Sequence, residues 1–99
     1  MNYFICYDIS NNRIRTKLSK MLEREGLHRV QKSVFFAKNF KPWEINAVGT
    51  KIALLLQELD EGDSVLLLPI ERDQLASLIL IGENEAIEKV LDGPPVRFF

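Results

Sequence analysis

A strand pattern passes directly into a helix pattern in residues 2–26, NYFICYDISNNRIRTKLSKMLEREG. Aromatic and β-branched residues fill positions 2–9, which is typical of a β-strand. The Ser-Asn-Asn that follows supplies turn chemistry, with Asn12 as the predicted N-cap of a helix that begins near Arg13. Apolar residues recur there at helical spacing, and Gly26 supplies a stop. The segment therefore predicts one strand followed by one amphipathic helix.

The rest of the chain continues the alternation of strand and helix patterns. Residues 29–36 alternate, with Val30, Val34 and Phe36 on one side, and 37–40 extend this ladder after a bend. Pro42 opens a second, strongly amphipathic helix, in which Gly49 suggests close approach to another backbone. A continuous apolar run at 65–68 predicts a strand buried on both faces, which Pro69 ends or places on an edge. The later patterns predict a polar loop at 71–74, a strand at 78–81, a short helix at 84–91 and a terminal strand at 96–99.

The order β-α-β-β-α-β predicts an α+β, ferredoxin-like sandwich formed by a single domain, residues 1–99. Both long helices are expected on one face of the antiparallel sheet. The other face would then expose Phe35 beside Arg29 and Ser33, and a large exposed patch usually marks an interface. We therefore expect a face-to-face homodimer with twofold symmetry, in which a C-terminal segment of about residues 77–99 pairs with the partner subunit.

Composition bounds the class of protein. The chain has 99 residues, 46% of them hydrophobic, one cysteine and one histidine. These counts suit one domain and exclude an intramolecular disulfide or a Cys/His zinc cluster. No apolar stretch approaches the ~20 residues of a membrane span, and the N-terminal apolar run lacks the basic lead-in of a signal peptide. The expected location is the cytoplasm.

Charge is divided unevenly along the chain. Residues 1–51 hold ten Lys and Arg against four Asp and Glu, a net of +6, whereas residues 52–99 hold three against ten, a net of −7. A cluster of cations is what a phosphate backbone requires, because each contact releases a condensed counterion. A solvated basic helix face with an acidic tail is the alternative. Charge alone does not decide between them.

Asp8 is the first candidate for chemistry, because it ends the first strand just before the basic helix. A carboxylate there can bind Mg²⁺, which keeps several waters and needs few protein oxygens. One aspartate is a poor site, but two copies facing each other across a dimer axis would be a credible one. Such a cation could support hydrolysis of a phosphodiester. Alternatively, Asp8 begins a turn or caps the helix.

Basic residues at the start of the helix are the second candidate. Arg13, Arg15 and Lys17 oppose the helix macrodipole there, at a cost of roughly 0.3–1 kcal/mol each, which suggests that they serve an anion. Lys20 continues the same basic face; a solvated helix start is the alternative. Arg29, expected on the uncovered face, could order the interface or contact phosphate. A Ser/His nucleophilic arrangement is unsupported.

Three motifs together resemble one family. They are YDIS at 7–10, RIRTK at 13–17 and RVQKSVF at 29–35. They closely resemble the CRISPR-associated protein family Cas-two, the small partner of the Cas-one integrase in spacer acquisition. The resemblance implies a ferredoxin-like homodimer with swapped C-terminal strands. It also implies a metal-dependent endonuclease, with Mg²⁺ or Mn²⁺, that acts on single-stranded RNA or double-stranded DNA.

The resemblance also implies roles for individual residues. Asp8 matches the metal and catalytic residue, with its dimer mate opposite, and Arg15 and Lys17 match basic site positions. The residues that match positions implicated in activity or in arranging the site are Tyr7, Arg29, Ser33 and Phe35. Lys32 departs from the family, which often has an aromatic residue there, and Lys17 stands where some members have arginine.

Two alternatives from other functional classes remain open. Some members of the family are nuclease-inactive scaffolds that bridge integrase dimers and grip protospacer DNA by its backbone. A toxin-type ribonuclease on the same fold would share the strand that ends in Asp8 but act alone on RNA.

Overall fold

The computed structural model describes residues 1–57 and 59–97 and confirms an α+β fold built on an antiparallel sheet. The main sheet has four strands in the order β2-β3-β1-β4, which is compatible with the ferredoxin-like fold that the sequence predicts. The elements, in chain order, are β1 (Asn2–Asp8), α1 (Asn12–Arg24), β2 (His28–Gln31), β3 (Val34–Ala37), α2 (Pro42–Leu55), β4 (Ser64–Ile70), α3 (Arg72–Ala76), β5 (Ile79–Leu80), α4 (Glu85–Val90) and β6 (Val96–Arg97).

Both long helices begin close to their predicted positions. The N-cap of α1 is Asn11 rather than Asn12: its side chain accepts a hydrogen bond from the Ile14 backbone N–H at 3.1 Å. Helix α2 begins at Pro42, as predicted, because proline at the first helical position forfeits no intrahelical bond. Local capping chemistry therefore fixed these boundaries to within one residue.

The predicted strand at residues 29–36 is two strands of a tight hairpin. A turn at Lys32 and Ser33 separates β2 from β3, and the register between them shifts next to Gln31. β3 ends at Ala37, so the predicted extension to residue 40 is wrong. The prediction that Val30, Val34 and Phe36 share one side is confirmed. Alternation with a period of two residues does not, however, show where a turn interrupts the strand.

Most of the core lies between the sheet and the two long helices, on what we call the helix-covered face. Phe35 lies opposite Ile5 in the sheet register, and both side chains are fully buried there. The prediction that Phe35 is exposed on an uncovered face is therefore wrong. The alternation in this strand separates two sets of side chains but does not identify which set the helices cover. The other large side chains that close this core are Leu18, Leu22, Ile45, Val48 and Ile52.

The opposite, second face is partly covered by the chain's own C-terminal segment, which corrects the expectation of one bare face. Val30 and Phe36 pack there against Leu75, Ile87 and Val90. The Asn84 side-chain amide donates to the Val30 carbonyl at 2.6 Å, and Lys38 pairs with Asp92 at 3.0 Å. Helix α3 replaces the predicted polar loop at 71–74, and α4 confirms the predicted short helix.

Strand β4 is an edge strand that continues through Pro69. The edge position that Pro69 suggested is therefore confirmed, and the prediction of a strand buried on both faces is wrong. Among the strands that the structure describes, β4 pairs with β1 alone. Leu66 and Leu68 are 64% and 55% exposed, although they lie opposite Cys6 and Phe4 on the second face. Leu67 points the other way, toward α2, where a Cβ built on Gly49 would lie 3.8 Å from it. Gly49 therefore meets a side chain in ordinary contact rather than another backbone.

The C-terminal part forms a small sheet of its own. β5 and β6 pair in parallel, with Ile79 opposite Val96. The predicted terminal strand is present in part, and its last two positions, 98 and 99, lie outside the described residues. Pairing of this segment with a partner subunit remains a prediction. No helix among residues 1–57 and 59–97 is long and apolar enough to cross a membrane.

Candidate functional site

Asp8 lies at the carboxyl end of β1, opposite Ser64 of β4, and its side chain is exposed. Within the described parts of the chain, no residue donates a hydrogen bond to its carboxylate or forms an ion pair with it. Strand alternation places Asp8 on the side of Phe4 and Cys6, which is the second face. The structure therefore presents a free carboxylate beside the exposed leucines of β4.

Two further aspartates lie in the loop that precedes β4, and sequence reasoning missed them. The Ser10 backbone N–H donates to Asp63 at 3.1 Å, and the Ser10 hydroxyl donates to Asp60 at 3.0 Å. These bonds fasten the loop after β1 to the turn before β4. No group of three or more His, Cys, Asp or Glu able to hold a metal occurs among residues 1–57 and 59–97. Among these described residues, Asp8 is thus an isolated carboxylate that does not belong to a cluster of acidic side chains.

A cavity of about 580 Å³ lies between α1 and the β2–β3 turn. Tyr7 and Ser19 line it from the core side, and four cations line it as well, which define what we call the basic cleft: Arg15, Lys20, Arg29 and Lys32. Glu23 is the acidic residue in the lining. The structure thus brings the predicted Arg15 and Lys20 together with Arg29 and with Lys32, whose contribution the sequence did not predict.

Arg29 is fixed in the cleft by three contacts. Its guanidinium carbon lies 5.4 Å from the centroid of the Phe35 ring, in cation–π geometry. Its Nη2 atom donates to the Tyr7 hydroxyl at 3.3 Å and to the Ser19 hydroxyl at 3.4 Å. The predicted position of Arg29 on an uncovered face is wrong, since it stands on the helix side of the sheet. The guanidinium therefore links β2, β1 and α1.

Tyr7 and Ser19 complete the same network. The Tyr7 hydroxyl donates to the Lys32 carbonyl at 3.3 Å, and the Tyr7 backbone N–H donates to the Ser33 carbonyl at 3.0 Å. The Ser19 hydroxyl donates to the Arg15 carbonyl at 3.1 Å. Ser33 thus acts through its backbone here. The sequence pattern did not identify Ser19 as a site residue, although Ser19 lies four residues after Arg15 on the same face of α1.

The remaining predicted cations lie apart from the cleft. Arg13 and Lys17 are exposed on α1, and Lys17 faces a separate groove between α1 and α2. Arg15, in contrast, belongs to the cleft and turns back toward the end of β1, where its Nη1 atom donates to the Ile9 carbonyl at 3.2 Å. The predicted basic face of α1 therefore divides into two groups, with Lys20 between them.

The N-terminal three quarters of the chain match a known protein family. The family described as CRISPR associated protein Cas2 matches residues 1–77. The chain belongs to the Cas2 (Cas-two) family. The matched region contains Asp8 and every residue of the basic cleft, and it ends before β5. The resemblance that the sequence motifs suggested is therefore confirmed.

Two individual proteins are similar to this Cas2 chain over most of its length. A protein from Archaeoglobus fulgidus named CRISPR-associated endoribonuclease Cas2 1 is 28% identical over 90 residues, which are 91% of this chain and 92% of that protein. The crystal structure of a hypothetical protein from Thermus thermophilus aligns with a TM-score of 0.68 and 26% identity, covering 84% of this chain and 92% of that one. The fold is therefore shared with a solved structure over most of the chain.

Proposed function

We propose that this Cas2 protein is a metal-dependent endonuclease of CRISPR adaptation that cleaves RNA as a homodimer. The observation that carries the proposal is the free Asp8 carboxylate at the end of β1. RNA is the favoured substrate because the Archaeoglobus fulgidus relative is named an endoribonuclease. Family membership favours a CRISPR role over the toxin-type alternative.

The exposed apolar strip of β4 supports the dimer. Leu66 lies opposite Cys6, and Leu68 lies opposite Phe4, so both leucines share the second face with Asp8. Both are more than half exposed, at 64% and 55%. Exposed apolar surface of this kind is characteristic of interfaces, and twofold pairing is the commonest closed arrangement. Two copies joined through this strip would bring Asp8 toward Asp8 of the partner subunit.

The donor set fits a hard divalent cation. One carboxylate from each subunit, supplemented by waters, is the kind of site that Mg²⁺ or Mn²⁺ accepts. Asp8 is available for it because no described residue bonds its carboxylate, whereas Asp60 and Asp63 accept hydrogen bonds from Ser10. When bound, such a cation supplies polarisation of the phosphodiester and a more acidic water.

The other residues of the region orient the strand end and attract the substrate. Tyr7 holds β1 to the β2–β3 turn through its backbone and its hydroxyl, which fixes the backbone that carries Asp8. Arg13 and Lys17, exposed on the first turns of α1, supply positive charge near the beginning of the helix. The first turn of α1 contains no acidic residue that would neutralise these cations. Their positive charge therefore favours the approach of a polyanion.

The substitution Asp8→Asn tests the nuclease directly. It removes the negative charge but keeps the shape, so we expect cleavage of a labelled single-stranded RNA in Mg²⁺ to fall by about 100-fold or more. The matched control is Asp73→Asn, an exposed aspartate on α3, and it should cleave at the wild-type rate. Addition of EDTA should abolish cleavage by the wild-type protein and by the control alike.

The proposal fails if the wild-type protein cuts no RNA in Mg²⁺ or Mn²⁺ across a range of pH. It also fails if Asp8→Asn cleaves as fast as Asp73→Asn.

A non-catalytic scaffold that joins the Cas-one integrase to protospacer DNA is the second candidate. The observation that favours it is the set of cations in the basic cleft, which can hold a nucleic-acid backbone without cleaving it. Spacer acquisition in cells carrying Asp8→Asn separates the two roles. Acquisition at the wild-type level together with lost cleavage would assign the biological role to the scaffold.

A further inference from the structure

We infer that Asp63 is a positioning residue for Asp8: through Ser10 it holds the end of β1 and so fixes where Asp8 offers its carboxylate to a cation. The inference deepens the proposed function and rests on it. It gives a role to residues 60–63, which precede β4 and which we call the acidic turn. The observation on which it depends is that Asp63 accepts both hydrogen-bond donors of Ser10.

The shape of the acidic turn brings two carboxylates within reach of Ser10. The Asp63 backbone N–H donates to the Asp60 carbonyl at 3.1 Å, which closes a four-residue β-turn. Gly62, the third residue of this turn, has a φ of +87°, a left-handed conformation that glycine adopts without steric cost. Because the two ends of a β-turn lie close together, both aspartates can contact one hydroxyl.

The bonds between Ser10 and the acidic turn form what we call the Ser10 clamp. The Ser10 backbone N–H donates to Oδ1 of Asp63 at 3.1 Å, and its hydroxyl lies 3.3 Å from Oδ2 of the same carboxylate. The hydroxyl has one proton, which it shares between Asp63 and Asp60, the latter at 3.0 Å. Hydrogen bonds from a backbone N–H to an ionised carboxylate are stronger than neutral ones. Asp63 therefore holds the backbone of Ser10, whereas Asp60 shares only the hydroxyl.

The backbone on both sides of Asp8 is fixed. Before it, the Tyr7 backbone N–H donates to the Ser33 carbonyl at 3.0 Å. After it, the Ile9 side chain is buried and the Ile9 carbonyl accepts a hydrogen bond from Arg15 at 3.2 Å. Groups that are held in place before they bind lose less entropy when they do. Asp8 thus offers a free carboxylate from a backbone that is already ordered.

The Ser10 clamp continues the connection between β1 and β4 beyond the end of the sheet. The paired residues of these strands run from Asn2 and Ile70 to Asp8 and Ser64, so Asp8 belongs to the last pair. Strand ends fray when nothing follows them to hold the two chains together. Because Asp63 directly precedes Ser64, its bonds to Ser10 stabilise this last pair.

A site with one carboxylate from each subunit tolerates little displacement of either. Mg²⁺ requires near-octahedral geometry, and a misplacement of about 1 Å by a residue remote from the chemistry can lower a rate by about 100-fold. Asp63 uses both carboxylate oxygens on Ser10, so it acts on the site through the backbone and contacts no substrate. Loss of Asp63 should therefore lower kcat and the affinity for the cation, and it should leave KM for RNA unchanged.

Three variants separate the clamp from the negative charge of the acidic turn. Asp63→Ala removes the acceptor of both Ser10 donors. Asp63→Asn removes the charge but keeps the clamp, because the amide oxygen accepts from the Ser10 N–H and the amide N–H can donate to the Ser10 hydroxyl. Glu61→Ala is the matched control, since it removes one charge from the same turn, and no residue among 1–57 and 59–97 bonds the Glu61 carboxylate.

Cleavage of a labelled single-stranded RNA is measured first, over a range of Mg²⁺ concentrations. For Asp63→Ala we expect kcat to fall by about 10- to 100-fold, with KM for RNA within about twofold of wild type. The Mg²⁺ concentration that gives half of the maximal rate should rise by about tenfold. Asp63→Asn and Glu61→Ala should keep kcat within about threefold of wild type.

NMR in EDTA measures the clamp without any cleavage. In Asp63→Ala, hydrogen exchange of the Ser10 amide should become about tenfold faster, because the amide loses its acceptor. The order parameter of the Asp8 amide should fall below the value of about 0.85 that is typical of a rigid backbone. Glu61→Ala should leave both quantities as they are in the wild-type protein.

The inference is overturned if Asp63→Ala cleaves as fast as Glu61→Ala, or if the order parameter of Asp8 is the same in both. It is also overturned if Asp63→Asn is as slow as Asp63→Ala, because the charge of Asp63 would then act on the reaction directly. A wild-type protein that cuts no RNA would contradict the proposed function instead, and the NMR result would still decide whether Asp63 orders Asp8.

Thermal melting shows whether each variant is folded before it is tested. If Asp63→Ala is unfolded, Ser10→Ala takes its place, because it removes the hydroxyl and keeps the backbone N–H that donates to Asp63. With one bond of the clamp left, kcat should fall by about threefold. A wild-type kcat in Ser10→Ala would then overturn the inference.

Discussion

The two faces of the sheet are closed in different ways. On the helix-covered face, α1 and α2, of 13 and 14 residues, bury Ile5, Leu18 and Phe35 completely. On the second face, elements of two to six residues cover Phe36 and leave Leu66 and Leu68 exposed. Long amphipathic helices bury a continuous core, whereas short elements depend on a few individual contacts.

This difference assigns separate tasks to the two faces. The helix-covered face stabilises the fold and carries the basic cleft at its margin. The second face carries Asp8, the exposed leucines of β4 and a cover held by Asn84 and Lys38. Regions that bind partners are drawn from the less stable parts of a protein, because they must remain open to rearrangement. The second face is therefore where we propose that a second copy of the chain binds.

The largest expected difference between the faces is in how much a cavity lowers the free energy of unfolding. Leu18→Ala, in the helix-covered core, should lower the free energy of unfolding by about 2–5 kcal/mol. Leu75→Ala, beneath the C-terminal cover, should cost less than about 2 kcal/mol, since local release of the cover limits the loss. Urea denaturation measures both values. Equal costs at the two sites would show that the C-terminal segment unfolds together with the rest of the chain.

A smaller effect is expected from the ion pair that fastens the cover. The hydrogen bond from Lys38, and then its charge, hold the pKa of the Asp92 carboxyl below its usual value of 3.8. A lowered pKa in the folded state means that the pair stabilises the cover above about pH 4 and loses this contribution as the pH falls through the lowered value. The effect is small because the pair is exposed to solvent and screened by salt.

This prediction can be checked by NMR between pH 2 and 6. The amide signals of α4 should shift as Asp92 titrates, and Asp92→Asn should remove that part of the titration. An unchanged titration in Asp92→Asn would show that the ion pair does not hold the segment in solution.

Much of the fold could be predicted because its signals are local. The strand β1, the start of α2 at Pro42 and the α+β order follow from periodicity and capping, which neighbouring residues determine. The face that the helices cover could not be predicted, because alternation around Phe35 is symmetrical between the two faces. The exposure of Leu66 and Leu68 depends on strand order, and a continuous apolar run does not reveal whether a strand is central or at an edge.

The same distinction between local and long-range signals applies to the candidate site. The position of Asp8 at the strand end follows from the turn residues after it, and the structure confirms that position. The basic cleft depends on contact between α1 and a hairpin turn that the sequence pattern concealed, so Lys32 was not assigned to it. Ser19 contacts Arg29 across ten residues of chain, a pairing that no local pattern specifies.

Cleavage by mixed dimers tests the central claim most directly. Wild-type and Asp8→Asn chains, co-expressed with different tags and purified through both, give dimers with one intact Asp8. If the two carboxylates share one cation, we expect the mixed dimer to cleave RNA almost as poorly as the Asp8→Asn homodimer. Half of the wild-type rate would show that each Asp8 acts alone and would contradict the account.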